Sequence, residues 1–250
     1  MLVEEKTYYR ANTDFTSGEG VIYTEFLGNI AVRQVSVVDD IYHSSSCIQD
    51  WDKKVGYLLY DGKKDELDLS DSEKITGEKF ELVWKKSVSE SDLSSFISYH
   101  IGNASIPIHN STIIIHVVNN CGKWGKGFVL SLSSQYPTTK NSYLSWFKSE
   151  PNMGDVQFLS IDEENRIFVA NMLAQNGIKR SAKDGNIYIC YKSLENCLSK
   201  ISDFALKERL TVQLPMIGAG LGGGNWDTIL SIIIKKLSYN KIRCHIFKLS

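Results

Sequence analysis

Residues 112–127 read TIIIHVVNNCGKWGKG. The first seven are apolar except for Thr112 and His116, which predicts a strand buried on both faces, as inside a parallel sheet. From Asn119 the character changes to a polar loop carrying Gly122, Gly125 and Gly127. Residues 127–136 behind it can form a helix that Pro137 ends. The same order returns near the C-terminus. Residues 210–217 predict a strand, five glycines crowd into positions 218–224, and residues 226–237 carry an apolar helical pattern.

Between and around these units the texture stays that of alternating strands and helices. Residues 142–148 read as a helix, and 156–161, 166–173, 187–190 and 241–247 as strands. Leu194, Cys197, Leu198, Ile201, Phe204 and Ala205 share one face at helical spacing. Such alternation implies an α/β fold, with a mainly parallel sheet covered on both sides. Upstream the pattern differs. Residues 6–12, 21–27 and 30–38 are rich in Val, Ile, Tyr and Thr and are separated by glycine-bearing turns. Residues 56–60 and 79–84 add two further strands, so residues 1–85 are expected to form a small antiparallel β-rich module with room for one short helix. Residues 86–95 hold five serines and suit a linker, which leaves 96–250 as the second domain.

The bulk numbers exclude several classes. A net charge of −1 gives no field that would favour nucleic acid or an anionic membrane, so attraction for an anion must be local. Cys47, Cys121, Cys190, Cys197 and Cys244 are scattered and form no CxxC pair, which argues against a disulfide framework and a zinc site. The N-terminus lacks an apolar signal core and no apolar run approaches membrane-spanning length, so a reducing cytoplasm is the expected address. No metal or cofactor is expected.

Eight of the 18 glycines lie in the two loops. Glycine lets a ligand approach backbone N–H groups with no Cβ in the way, and each following helix aims its free N–H groups and positive dipole end at the same place. Ligands of open α/β sheets settle at the carboxyl ends of the strands. Two such loops side by side suit a diphosphate. Neither loop is a P-loop, because no GK[ST] follows, and neither is a GxGxxG that opens the first βαβ unit, as in a dinucleotide fold.

Taken together, IIIHVVNNCGKWGKGF (113–128), VANMLAQNGI (169–178) and LPMIGAGLGGGNWDTI (214–229) resemble the macro domain family over about residues 96–250. Within it they look most like the branch of terminal ADP-ribose-protein glycohydrolases, the antitoxin that removes ADP-ribose from DNA bases, and the macro module of a chromatin remodeller. The resemblance implies a three-layer sandwich with a mixed, mainly parallel sheet, and ADP-ribose or an ADP-ribosylated macromolecule as the partner. Nucleic acid would be bound only when ADP-ribosylated, and no membrane partner is implied. Gly102 and Asn103 stand where the family has Gly-Asp gripping the adenine amine, so Asn103 would offer a carbonyl oxygen in place of a charge. Asn119, Asn120, Lys123, Trp124, Gly125, Lys126, Gly127 and Phe128 would wrap the distal ribose. Ile217, Gly218, Ala219, Gly220, Leu221, Gly222, Gly223 and Asn225 would hold the diphosphate, and Tyr191 matches an aromatic often found ahead of its helix.

Cleavage of ADP-ribose from an acceptor passes through a cation-like sugar and needs an activated water or a nucleophile. The related glycohydrolases use a lysine on a mid-domain strand and an aspartate after the second loop's Gly-Leu. At those positions this chain reads Ser160 and Gly222, which removes the lysine-based mechanism. Asn119 and Asn120 remain candidates to position water. His116 reads as a hydrogen-bonded core histidine, Asp227 as a complement to the helix dipole, and Cys121 has no partnered base. Trp124 either stacks on the ligand or closes its loop. Three functions follow: a recognition module for ADP-ribose, a hydrolase releasing ADP-ribose from protein, nucleic acid or the 1″-phosphate, and a sensor or sponge for an NAD-derived nucleotide signal.

Overall fold

The computed structural model describes residues 4–89, 91–181 and 183–248. It divides into two compact units, Met1–Leu93 and Ser94–Ser250.

The first unit is built on a five-stranded antiparallel sheet of order β4-β3-β2-β1-β7. Its strands are β1 (Lys6–Phe15), β2 (Gly18–Leu27), β3 (Ile30–Val38) and β4 (Ile41–Ser45) in a meander. The two-residue strands β5 (Trp51–Asp52) and β6 (Gly56–Tyr57) pair apart from it, and β7 (Glu73–Ile75) returns to β1. Asp39 and Asp40, both at positive φ, make the two-residue turn between β3 and β4, a conformation that Asp tolerates. Residues 79–84 are not the expected strand. They lie inside α1 (Gly77–Val88), which Thr76 caps by accepting from the Lys79 N–H. Phe80, Trp84 and Val88 recur every four residues and are the buried face. Under that face Arg33 is only 4% exposed. Its guanidinium lies 5.0 Å from the Phe80 ring and 4.9 Å from the Trp84 ring, and it bonds Glu25 and Glu81.

The second unit has a six-stranded sheet of order β10-β11-β9-β12-β13-β8. Its elements in chain order are β8 (Ile97–Ile101), β9 (Thr112–Asn119), α2 (Phe128–Gln135), α3 (Thr138–Phe147), β10 (Val156–Asp162), β11 (Ile167–Gln175), α4 (Tyr191–Lys207), β12 (Thr211–Pro215), α5 (Trp226–Lys236) and β13 (Cys244–Lys248). Only β10 runs antiparallel to its neighbour. Alternation along each strand feeds two faces. Ile114, Val118, Val169 and Leu173 pack with Val129, Leu132 and Tyr143 of α2 and α3. On the other face Phe168 and Phe158 meet Phe204 of α4. Helices therefore cover both sides, giving the three-layer α/β sandwich with its mixed, mainly parallel sheet. Residues 187–190 are not a strand; there only Ile189 forms a bridge, to Gln175. Among the described residues no helix is long and apolar enough to cross a membrane.

Candidate functional site

β9 and β12 are parallel neighbours, with Thr112 beside Thr211 and Ile114 beside Gln213. Both glycine loops therefore leave the same edge of the sheet. They also touch, since a Cβ placed on Gly127 would lie 3.2 Å from Leu221 Cδ1. Asn225 ends the second loop by capping α5, its Oδ1 accepting from the Thr228 N–H at 2.9 Å.

The glycines divide into two kinds. Several are required by packing: a Cβ on Gly222 would sit 2.6 Å from Gly218 O, and Gly127 has φ 77°. Gly125 and Gly220, one in each loop, are at neither a positive φ nor a crowded place, with no atom within 4 Å of a Cβ on either. Nothing inside the fold asks for glycine at those two positions.

A third segment, between β11 and α4, joins the loops, and sequence reasoning missed it. Tyr188 and Ile189 donate their N–H groups to Gly222 O at 2.8 and 3.1 Å. On the other side the Gly177 N–H donates to Asn120 Oδ1, and Asn120 Nδ2 donates to Asn176 Oδ1, both at 2.7 Å. Asn119 Oδ1 accepts from the Cys121 and Lys123 N–H groups at 3.1 Å, and its Nδ2 donates to Lys123 O at 2.7 Å. Both asparagines thus staple the first loop, where the sequence suggested water-positioning roles. Tyr191, at the start of α4, accepts from the Asn225 N–H at 2.8 Å and so braces the second loop. The third segment brings Lys179, Arg180 and Lys183, while the first loop brings Lys123 and Lys126. Among the described residues none of these five lies within ion-pair distance of a carboxylate. The only signal in the sequence was the basic, glycine-bearing run NGIKRS (176–181).

No family model matches the chain. Among solved structures, a macrodomain protein from Streptomyces coelicolor is 30% identical with a TM-score of 0.53, over 61% of this chain and 98% of that one. The chain belongs to the macrodomain family. Thermosipho africanus DarTG, solved in complex with ADP-ribose, shares the fold at 14% identity and a TM-score of 0.50, over 94% of this chain and 74% of that one. The mouse chromodomain-helicase-DNA-binding protein 1-like is 27% identical over 208 residues, 79% of this chain. The chain spans only 22% of that relative's length.

Inside the macrodomain, Trp124 is closed into the core. It is 8% exposed, its indole N–H donates to Ser133 Oγ at 2.7 Å, and its ring lies 5.0 Å from that of Tyr143. It shapes the first loop from within, which leaves no face for a ligand to stack on. Ser160 is on the edge strand β10, opposite Phe168 near the start of β11. That is the end of the sheet away from the glycine loops. The β11 residue that reaches the site is Gln175, whose carbonyl accepts from the Asn120 N–H at 2.9 Å. Asp227 stays in the exposed first turn of α5.

His116 Nε2 bonds Asn171 Oδ1 at 2.6 Å, and Asn171 Nδ2 donates to Gln157 Oε1 at 2.8 Å. Burial pushes the His116 pKa from 6.5 down to about 4. Between those values the unfolded chain takes up a proton that the folded chain refuses. This contribution to stability is therefore whole above the unfolded pKa and is lost as the pH falls towards the folded one, about 2 kcal/mol of it by pH 5. Burial, then His109, His100 and Arg243, likewise push His245 to about 4, so it titrates in the same window. His116→Gln isolates the first effect. In urea melts at pH 7 and pH 5 the variant is expected to lose about 2 kcal/mol less than wild type; equal losses would contradict the assignment.

Proposed function

We propose that the macrodomain binds ADP-ribose or a close derivative as a recognition module, with the diphosphate across the two glycine loops. Gly125 and Gly220 carry this reading. Each is a glycine that the fold does not need, on touching loops at the carboxyl edge of the sheet, where backbone N–H groups and helix N-termini favour a diphosphate. Lys123, Lys126, Lys179, Arg180 and Lys183 supply the local positive field that a chain of net charge −1 lacks overall. The ligand of Thermosipho DarTG agrees with this choice.

Recognition is preferred over turnover because the residues suggested for chemistry are otherwise employed. The side chains of Asn119 and Asn120 hold the loop, and His116 is sealed in the core. The reading concerns residues 94–250, and we take the β-rich unit before them as a separate module. Titration calorimetry of the full chain with ADP-ribose tests it. A saturable one-to-one isotherm that weakens as salt is added is expected; no heat and no shift in melting temperature at millimolar ligand would refute it.

A further inference from the structure

Within the β-rich unit, Arg33 faces α1, so the next residue along β3, Gln34, faces the other side of the sheet. There a cavity of about 780 Å³ lies between the sheet and the chain that follows β4. Ile22 and Gln34 line it from the sheet, and Ile48, Tyr57, Leu59 and Tyr60 from the later segment. A volume of that size holds a small organic molecule.

The direction of the Gln34 amide is fixed. Gln34 is 2% exposed, and its Oε1 accepts from the Tyr60 N–H at 3.1 Å. A backbone N–H can only donate, so the oxygen faces Tyr60 and the Nε2 end is left to the cavity. Among the described residues that Nε2 has no partner. An unpaired donor at so buried a residue is costly, and buried amides are ordinarily satisfied. The walls around it are apolar or aromatic. Leu59 is buried, Tyr60 is held by donating its hydroxyl to Lys63 O at 3.2 Å, and Tyr57 is 70% exposed at the mouth. Asp61 is the one charged residue in the lining, so the cavity disfavours an anion.

We propose that this cavity is a second ligand site, which takes a small uncharged aromatic compound bearing a carbonyl oxygen. The oxygen accepts from Gln34 Nε2, and the ring lies among Ile22, Leu59 and the two tyrosines. The site does not depend on the ADP-ribose reading, since every residue in its lining belongs to the first unit.

Acetophenone and ethylbenzene, alike in shape but with and without the carbonyl oxygen, are the probes. Each is titrated into the full isotope-labelled chain while NMR follows the side-chain amide signals of Gln34. Acetophenone is expected to shift those signals saturably and to bind about tenfold tighter than ethylbenzene. Gln34→Met, which keeps the length of the side chain without its donor, should bring that ratio to about one. Tyr57→Ala changes an exposed side chain and should weaken both probes alike, which serves if the methionine variant melts early. Equal affinity for the two probes in wild type, no saturable shift at Gln34, or binding that Tyr57→Ala leaves unmoved overturns the proposal.

Discussion

Gly220→Glu is expected to weaken ADP-ribose binding by about a hundredfold or more, with the melting temperature almost unchanged. The backbone at Gly220 is outside the left-handed region, and a Cβ there meets no atom within 4 Å, so a side chain enters without disturbing the loop. The glutamate then extends into the space assigned to the diphosphate. Two like charges about 4 Å apart in a partly screened cleft repel by several kcal/mol. Gly222→Ala, two positions along, should behave in the opposite way. Its methyl would lie 2.6 Å from Gly218 O, and Gly222 O anchors Tyr188 and Ile189. That substitution should lower the melting temperature first and binding only as a consequence. Calorimetry and thermal melts on the pair separate a ligand-facing glycine from a structural one. Intact affinity in Gly220→Glu would remove Gly220 from the site.

Arg33→Met should destabilise the β-rich unit by about 3–5 kcal/mol. The substitution keeps the apolar stem between Phe80 and Trp84 but leaves Glu25 fully buried, with Lys6 at 3.6 Å as its remaining cation among the described residues. Removing one partner of a buried pair exposes the desolvation cost of the other. A second substitution, Glu25→Leu, should therefore recover most of the loss. Urea unfolding of the two single variants and the double variant measures the coupling. Additive losses would mean that the pair is not energetically linked.

The sandwich was legible because its main strands are buried on both faces and announce themselves as apolar runs, TIIIHVV above all. The stripe of α4 was equally open, since Leu194, Leu198, Ile201 and Ala205 keep helical spacing and are all buried. Residues 79–84 misled because FELVW has the composition of a strand, while the period that matters, Phe80 to Trp84 to Val88, extends beyond that window. Ser160 was misplaced because the reversal between β10 and β11, a tertiary event, decides which end of the sheet a residue occupies.

Within the site, the glycine loops were readable and their touching at Gly127 and Leu221 followed from strand adjacency. What the asparagines do was not readable. An exposed Asn near a ribose loop looks like a ligand contact, and only the hydrogen bonds of Asn119, Asn120 and Asn103 show where each amide is used. The segment before α4 offers only the short run IYIC (187–190), which reads as a strand and forms a single bridge. Its part in the site comes from backbone bonds to Gly222 and Asn120, which no local propensity announces.

The central claim is that backbone amides of two adjoining loops hold one diphosphate. A crystal structure of the full chain grown with ADP-ribose tests it most directly. The account predicts one phosphate within hydrogen-bond reach of the N–H groups around Gly125 and Gly127, and the other against those around Gly220. A ligand seated elsewhere, or side chains folded into the space over Gly125 and Gly220, would contradict it.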